Sequence, residues 1–250
     1  MSKHSPARRS MVIDGALCLA LPAAGALAAP SVLRAVSLTV PLFGMERQGA
    51  APSGIFVDVI TELSRASGVP ISNAMAPKVR AQAMLKAGEA DLMIGFDNPE
   101  LQASARRVAL VASFEVGIVA RPGIRLRALS DLRGKTVGQL RSADYFAPLE
   151  QDSAILKYST NTMAQMVKML ALGRVDAVIG VRESLYYAFQ TEGVAAERIG
   201  DFLALTSREA WLHYANSNYD AATADKLAAA MRRLRDGGSI AAIVARYVRK

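Results

Sequence analysis

Apolar and polar residues follow two different spacings along this chain, and together they predict an α/β protein. Short apolar runs at 32–40, 69–74 and 91–95 predict strands. Between them, residues 57–66 and 77–87 carry apolar side chains at the three- to four-residue spacing of amphipathic helices. The resulting order, β-α-β-α-β, is typical of a parallel sheet with crossover helices.

A twelve-residue frame occurs twice and indicates that this arrangement is repeated. Residues 84–95 read MLKAGEADLMIG and residues 169–180 read MLALGRVDAVIG, so six positions are identical. In each copy a helix ends at a glycine, a turn with an aspartate follows, and an apolar strand ends in a second glycine. We expect the recurring Asp91 and Asp176 to be structural residues of these turns. Two such units predict two lobes, and small-molecule sites tend to lie between lobes of this kind.

The first 28 residues have the pattern of an export signal. Basic residues up to Arg9 are followed by an apolar run at 11–21 and by small residues that fit a cleavage site after Ala28. Arg8-Arg9 resembles a twin-arginine signal, although a chance pair explains it equally well. The apolar run is about ten residues too short to span a bilayer. The sequence therefore predicts export to the periplasm rather than a membrane anchor.

Composition excludes several kinds of site. The only cysteine, Cys18, lies in the predicted signal, so the mature chain has no thiol for a disulfide, a nucleophile or a metal site. His213 is the only histidine after the signal, which excludes a histidine metal cluster. The formal net charge is +8, yet no long basic run or interleaved aromatic patch suggests nucleic-acid binding. Such a charge favours anionic small solutes or an anionic membrane surface.

Five sequence blocks occur in a fixed order over nearly the whole mature chain. Besides the two frames they are GIFVDV at 54–59, DLRGKTVG at 131–138, and LRDGG at 234–238 followed by Ile240, Ile243 and Tyr247. Together they resemble the family 3 extracytoplasmic solute-binding proteins, the receptors of polar amino-acid ABC importers. The resemblance implies a two-lobe periplasmic binding protein fold of type II, in which each lobe is a mainly parallel sheet flanked by helices. It also implies that the two lobes close over a solute.

The predicted first lobe is discontinuous, with residues 29–120 and 208–250, and the second lobe comprises residues 121–207. By the same resemblance we expect a monomer without a cofactor or metal, which works with an ABC permease in the inner membrane. We expect no nucleic-acid partner.

The residues that follow the two frames depart from the amino-acid receptors of this family. Val181 stands where those receptors have an aspartate for the ligand ammonium, and FDNPE at 96–100 replaces the T-x-x-R-like segment that holds the carboxylate. The glycine-threonine loop of the second lobe is replaced by RSAD at 141–144. Because a buried unpaired ammonium is costly, we do not expect an ordinary α-amino acid as the ligand.

Nine residues near the predicted strand ends are candidate ligand contacts. The arginines can pair with a carboxylate or phosphate, the other polar side chains can form hydrogen bonds, and the phenylalanines fit either stacking on a ligand or packing in the core. Solvated arginines and turn residues are the alternative interpretations. The candidates are Phe43, Arg80, Phe96, Asp97, Asn98, Arg141, Ser142, Tyr145 and Arg182.

Three functional hypotheses follow. The leading one is a non-catalytic periplasmic receptor that captures a small polar, carboxylate-bearing solute for an ABC importer. The second is an accessory or sensory module that docks on a membrane or periplasmic dehydrogenase complex. The third is an enzyme similar to the periplasmic cyclohexadienyl dehydratases, which needs a general acid in the cleft. Only Asp97, Glu100, Asp144 and Glu183 are positioned for that role, and no motif singles one out.

Overall fold

A computed structural model describes residues 1–2, 32–46, 48–141, 143 and 145–248. Apart from its first two residues, the predicted signal peptide at 1–28 lies outside the described residues, and so does the candidate Ser142. The unit described below lies within Ser31–Lys250. Within the described ranges, no helix is long and apolar enough to cross a membrane.

Eight strands of the described chain form one sheet in the order β2-β1-β3-β8-β4-β7-β5-β6. Their bounds are β1 Leu33–Leu38, β2 Ile71–Ala76, β3 Leu92–Phe96, β4 Ala105–Ala120, β5 Thr136–Leu140, β6 Leu156–Thr160, β7 Ala177–Val181 and β8 Phe202–Ala215. Strands β1 to β3 run parallel, and so do β5 to β7. The two long strands β4 and β8 pair antiparallel and join the two parallel sets. We call the first set with its helices the first lobe and the second set with its helices the second lobe.

Eight α-helices flank this sheet in the described chain. They are α1 Ile55–Ser67, α2 Lys78–Ala87, α3 Pro99–Ser104, α4 Ala147–Gln151, α5 Met163–Ala171, α6 Arg182–Thr191, α7 Ala221–Asp236 and α8 Ser239–Tyr247. Buried side chains of α1, α7 and α8 join the largest apolar cluster, which also contains apolar side chains of both lobes. A second cluster lies under α2 and α3, and a third lies under α5 and α6. Helices therefore cover both faces of the sheet, and the predicted α/β fold class is confirmed.

The two frames have the same structural role in the two lobes. Gly88 and Gly173 adopt positive φ angles of 72° and 67° where α2 and α5 end. The carboxylate of Asp91 accepts a hydrogen bond of 2.7 Å from the backbone N–H of Arg34, and that of Asp176 accepts one of 2.9 Å from the backbone N–H of Thr136. Each aspartate thus ties its own turn to the neighbouring parallel strand, as the repeat predicted.

The sequence patterns were wrong in their treatment of the long strands. The apolar runs at 114–120, 202–206 and 210–215 each indicate a separate short strand, whereas β4 spans Ala105–Ala120 and β8 spans Phe202–Ala215 without a break. Ser207, Arg208 and Glu209 interrupt the apolar pattern because β8 passes there between the two lobes, where it is not covered by helices. The patterns also missed α3 and β6, and the lobe boundaries at 120/121 and 207/208 stay a prediction.

Candidate functional site

The strand ends of the two lobes face each other across the middle of the β4–β8 pair. The last residue of β3, Phe96, lies opposite Ala210 of β8, and the last residue of β7, Val181, lies opposite Val116 of β4. Val116 in turn pairs with Thr206, so the two ends are separated by the β8 segment 206–210. At a rise of about 3.3 Å per residue the two strand ends lie about 13 Å apart along β8, and we call this stretch the gap.

The first-lobe side of this gap is a cluster of four phenylalanines. The ring of Phe43 lies 4.7 Å from that of Phe56, 5.6 Å from that of Phe96 and 5.4 Å from that of Phe114, measured between centroids. The last two contacts are edge-to-face, a favourable geometry for aromatic pairs. Phe43 is only 4% exposed, so it is a core residue in this structure, while Phe96 at the end of β3 is half-buried.

Arg208 stands at the centre of the gap and was not predicted. It lies opposite Phe114 in the β4–β8 pairing, and its guanidinium carbon is 5.4 Å from the ring centroid of Phe96. Its charge also acts on Tyr145 of the second lobe. Burial raises the pKa of Tyr145 to about 12, and the positive charge of Arg208 only partly opposes this rise. Arg208 thus connects two of the candidates, Phe96 and Tyr145.

Two further candidate arginines follow the strand ends of the second lobe. Arg141 comes directly after β5 and donates a hydrogen bond of 3.2 Å from Nε to the side-chain oxygen of Asn161. Arg182 comes directly after β7, where it forms an ion pair with Glu115 of β4 and lies 4.4 Å above the ring of Phe202. Both arginines are exposed. Because Glu115 and Phe114 point to opposite faces of β4, Arg182 lies on the face of the β4–β8 pair opposite that of Arg208.

A contact between the lobes lies beside these arginines. The hydroxyl of Tyr187 on α6 donates to the sulfur of Met45 in the loop after β1, at 3.0 Å. One turn earlier on α6, Glu183 is half-buried. Burial raises the pKa of its carboxyl group, and the negative charge of Glu115 adds to this effect, whereas its own backbone N–H and Arg182 oppose it.

Asp97 and Asn98 lie between β3 and α3, and their side chains form hydrogen bonds with residues of this segment and of α3. Asn98 is the N-cap, whose side-chain oxygen accepts a hydrogen bond of 3.0 Å from the backbone N–H of Leu101. Asp97 accepts a hydrogen bond of 2.6 Å from Gln102, lies 3.5 Å from Arg107 and lies 3.4 Å from Nε2 of His213. A cavity of about 410 Å³ opens next to this cluster; it is lined by Asp97, Arg107, Ser207, Arg208, Glu209 and Trp211.

The buried His213 leads to a prediction about acid stability. Burial lowers its pKa, and the neighbouring Asp97 carboxylate only partly opposes that change. The unfolded chain, with a histidine pKa of about 6.5, therefore binds a proton more readily than the folded one as pH falls. We expect stability to be complete above about pH 6.5 and to decrease below it, down to the lower folded pKa. Urea unfolding between pH 7 and 5 should show this loss, and His213→Gln should remove it. If the free energy of unfolding falls equally with pH in the wild type and in His213→Gln, His213 is not the cause of the acid destabilisation.

The structure brings together most, but not all, of the predicted site residues. Phe43, Phe96, Tyr145 and Arg141 lie around the gap, whereas Arg182 lies on the other face of the β4–β8 pair; contact of any of them with a ligand stays a prediction. Arg80 is exposed in the first turn of α2 and forms no hydrogen bond or ion pair with these candidates in the described part of the chain. The sequence did not indicate Arg208 and Glu115 as candidates, because their contacts form only when the distant strands β4 and β8 pair between the lobes. The described residues contain no group of His, Cys, Asp or Glu that could hold a metal ion.

Comparison with known proteins identifies the architecture. No protein-family model matches the chain, and no curated protein matches its sequence. Solved structures do match: the second substrate-binding domain of a putative amino acid ABC transporter from Streptococcus pneumoniae has 15% identity and a TM-score of 0.70 over 87% of this chain and 100% of that one. The chain has the type II periplasmic binding protein fold.

Two other proteins with this fold are sensory or periplasmic modules. The periplasmic VFT2 domain of BvgS from Bordetella pertussis has 20% identity and a TM-score of 0.69, over 86% of this chain and 93% of that one. A histidine kinase sensor domain with similarity to periplasmic binding proteins has 17% identity and a TM-score of 0.66, over 87% of this chain and 96% of that one. The fold is thus found in substrate-binding domains and in sensor domains.

Proposed function

We propose that this protein is a non-catalytic periplasmic receptor that binds a small polar, anionic solute between its lobes and delivers it to an ABC permease. The observation that carries the proposal is the placement of Arg208 over Phe96 in the middle of the β4–β8 pair, with Arg141 directly after β5 at the facing strand end of the second lobe. In open α/β folds this edge is where ligands bind. The periplasmic binding protein fold of the chain supports the same location.

The side chains around the gap suit a carboxylate-bearing solute. A guanidinium can form two parallel hydrogen bonds with a carboxylate or phosphate, and it is more weakly hydrated than an ammonium. The phenylalanine cluster provides an apolar wall, against which these interactions are stronger than in water. Without the predicted signal, which contains Lys3, Arg8, Arg9 and Asp14, 27 basic and 21 acidic residues remain, and this net charge of +6 favours the approach of an anion.

The contact between Tyr187 and Met45 supports a binding mode in which the lobes close on one solute. It joins α6 of the second lobe to the loop after β1 of the first. Closure of this kind around a ligand is a hinge motion, and here β4 and β8 would form the hinge. We therefore expect binding at a 1:1 ratio by a monomer.

A ligand screen tests this proposal. We expect at least one small anion, from a panel of succinate, malate, lactate and phosphate, to raise the melting temperature by about 5–10 °C at 100 times its Kd. Arg141→Gln should abolish the shift because the ion pair with the solute is lost. Arg174→Gln is the matched control, since the exposed Arg174 precedes β7, at the end opposite the gap. If no member of the panel stabilises the wild-type protein, the proposal is wrong.

A sensory or accessory module is the second candidate, and the apolar cluster shared by the two lobes favours it. This cluster includes Phe43 of the first lobe and Tyr187 of the second, so the lobes are held together by the protein's own side chains. A module that docks on a membrane or redox complex does not need its lobes to open and close around a solute. Co-purification with a membrane or redox protein, together with a negative ligand screen, would favour this candidate.

A further inference from the structure

The edge of β8 that faces β3 has no partner strand in the middle of the gap. β3 pairs with β8 only over the segment 210–214, whereas β4 pairs with the opposite edge of β8 from Phe202 to Ala215. Within the described chain, no other strand lies beside the segment 207–209 on the β3 side. The N–H and C=O groups of such an edge can pair with another extended chain.

The sequence explains why β3 ends there. Asn98 is the N-cap of α3 and Pro99 is its first residue, so the chain leaves the line of β3 directly after Asp97. If β3 continued in register, Asp97 would lie opposite Glu209, and two more residues would cover β8 as far as Ser207. The uncovered edge at 207–209 is therefore the place that a longer β3 would occupy.

The cavity of about 410 Å³ described above lies at this edge. Three consecutive residues of β8, Ser207, Arg208 and Glu209, line it together with Asp97 at the end of β3. Successive residues of a strand point to opposite faces of the sheet, so a cavity lined by three in a row runs along the edge of the strand and not over one face. The distance from Ser207 to Glu209 is about 7 Å, the length of two extended residues. The cavity therefore suits a small extended molecule.

At least one residue of this segment directs both its N–H and its C=O group into the cavity. In a regular antiparallel pair, residues alternate between exchanging both hydrogen bonds with the partner strand and turning both groups away from it. The pairing of β8 with β4 is regular from Thr206 to Ala210, so this alternation holds at 207–209. A ligand can exchange both bonds with such a residue if one of its carbon atoms carries an N–H group and a carboxylate.

The charged side chains at the cavity give the ligand a direction. Its two carboxylates already have partners: Asp97 lies 3.5 Å from Arg107, and Glu209 accepts a hydrogen bond of 3.0 Å from the indole N–H of Trp211. Arg208 is the next residue along β8 towards the second lobe and supplies a guanidinium. A ligand carboxylate therefore fits at Arg208, with the rest of the molecule extending towards Asp97. This is the chain direction of β3, so the ligand would pair antiparallel with β8.

We propose that the solute is an extended carboxylate with a secondary amide on the adjacent carbon, as in an N-acylated amino acid or a short peptide, and that it pairs with the β8 edge at 207–209. This proposal rests on the receptor function proposed above and names the class of its solute. The amide N–H donates to a carbonyl of β8, a carboxylate oxygen accepts from the N–H of the same residue, and Arg208 balances the charge. Because an acylated nitrogen is uncharged, Val181 at the position of the ammonium-binding aspartate is no obstacle.

Calorimetry with two probes of the same shape tests the backbone pairing. N-acetylalanine carries the amide and the carboxylate, whereas O-acetyllactate has an ester oxygen in place of the amide N–H. We expect the wild-type protein to bind N-acetylalanine at least about tenfold more tightly, because the ester leaves a carbonyl of β8 in the cavity without a donor. Alanylalanine distinguishes the two sources of this chemistry. Tighter binding than that of N-acetylalanine would identify a peptide, and weaker binding would identify an acylated amino acid.

Ser207→Phe tests the location of the ligand. Ser207 is exposed and lines the cavity, so a larger side chain there can fill the cavity without entering the core. We expect the affinity for N-acetylalanine to fall at least about tenfold, while the melting temperature stays within about 2 °C of the wild type. Ser159→Phe is the matched control, since Ser159 is equally exposed but lies on β6, the last strand of the sheet order. It should bind as the wild type does.

The possible outcomes separate this proposal from the function on which it rests. If neither an amide probe nor any anion of the ligand screen binds, the receptor function and the solute class both fail. If an anion of the screen binds but neither N-acetylalanine nor alanylalanine does, only the solute class is overturned. Equal affinities for N-acetylalanine and O-acetyllactate also overturn it, since the amide N–H then donates no hydrogen bond. If Ser207→Phe binds N-acetylalanine as the wild type does, the ligand does not pair with the β8 edge at 207–209.

Discussion

Replacing Gly54 by alanine is expected to destabilise the protein by at least about 3 kcal/mol, since a strained backbone and a steric overlap add together. Gly54 precedes α1 with φ 128° and ψ 161°, a conformation that is essentially restricted to glycine. A Cβ atom there would lie 2.6 Å from the carbonyl oxygen of Phe43 and 2.8 Å from the Cα of Gly44. Both are backbone atoms, so no side-chain rotation can relieve the contact.

The destabilisation expected for Gly54→Ala extends to the phenylalanine cluster, because Gly54 lies where the Phe43 loop, α1 and α8 meet. The backbone carbonyl of Phe43 accepts a hydrogen bond of 3.0 Å from the N–H of Phe56, and the N–H of Gly54 donates one of 2.8 Å to the hydroxyl of Tyr247 on α8. Moving the Phe43 backbone away from a Cβ atom would disturb both contacts. The phenylalanine cluster beside the gap would then lose its packing.

Gly68→Ala is the matched control for this prediction. Gly68 ends the same helix with φ 69°, but nothing lies within 4 Å of a Cβ built on it. We expect it to cost about 1–2 kcal/mol, the conformational penalty alone. Urea unfolding of the two variants measures the difference. If Gly54→Ala and Gly68→Ala lower the free energy of unfolding equally, the steric overlap with the Phe43 backbone is relieved without an energetic cost.

The local pattern of the chain predicts its repeated units well. Helix ends at Gly68 and Gly88 are visible in the sequence because a glycine after an amphipathic run supplies the left-handed conformation that the helix stop needs. The structural role of Asp91 and Asp176 is also predictable, since their turns repeat within one chain. These features depend on neighbours in sequence, and so does the α/β fold class.

The candidate site is less predictable because its residues are distant in sequence. Arg208 lies over Phe96, and Arg182 pairs with Glu115, contacts that exist only after β4 and β8 have crossed between the lobes. The middle of β8 is polar at 207–209, so its pattern indicates a break rather than a strand that lines a site. Phe43 is a different case: the sequence leaves both a ligand contact and core packing open, and the structure buries its ring among three other phenylalanines.

The pair of frame aspartates leads to the second large effect: Asp91→Ala should destabilise the protein by about 3 kcal/mol, and Asp176→Ala by about 1 kcal/mol. The side chain of Asp91 is 7% exposed and that of Asp176 is 26% exposed. Asp91 accepts hydrogen bonds from the backbone and guanidinium of Arg34 and, at 2.6 Å, from Asn218. Asp91→Ala therefore removes a buried acceptor that serves three hydrogen-bond donors, whereas the Asp176 carboxylate is itself more accessible to water.

The same hydrogen bonds determine how the effect of Asp91→Ala depends on pH. Burial alone would raise the pKa of Asp91, but the hydrogen bonds from Arg34 and Asn218 outweigh it and hold the pKa below its usual value. The contribution of Asp91 to stability is therefore complete above the unfolded pKa of about 3.9 and is lost as pH falls through the lower folded pKa. Urea unfolding of the wild type and Asp91→Ala should consequently show a difference in the free energy of unfolding that is constant from pH 7 to 5 and becomes smaller in stronger acid. If this difference in the free energy of unfolding stays unchanged to pH 2, or if Asp91→Ala and Asp176→Ala destabilise the protein equally, then Asp91 stabilises the fold by packing and not as a charged acceptor.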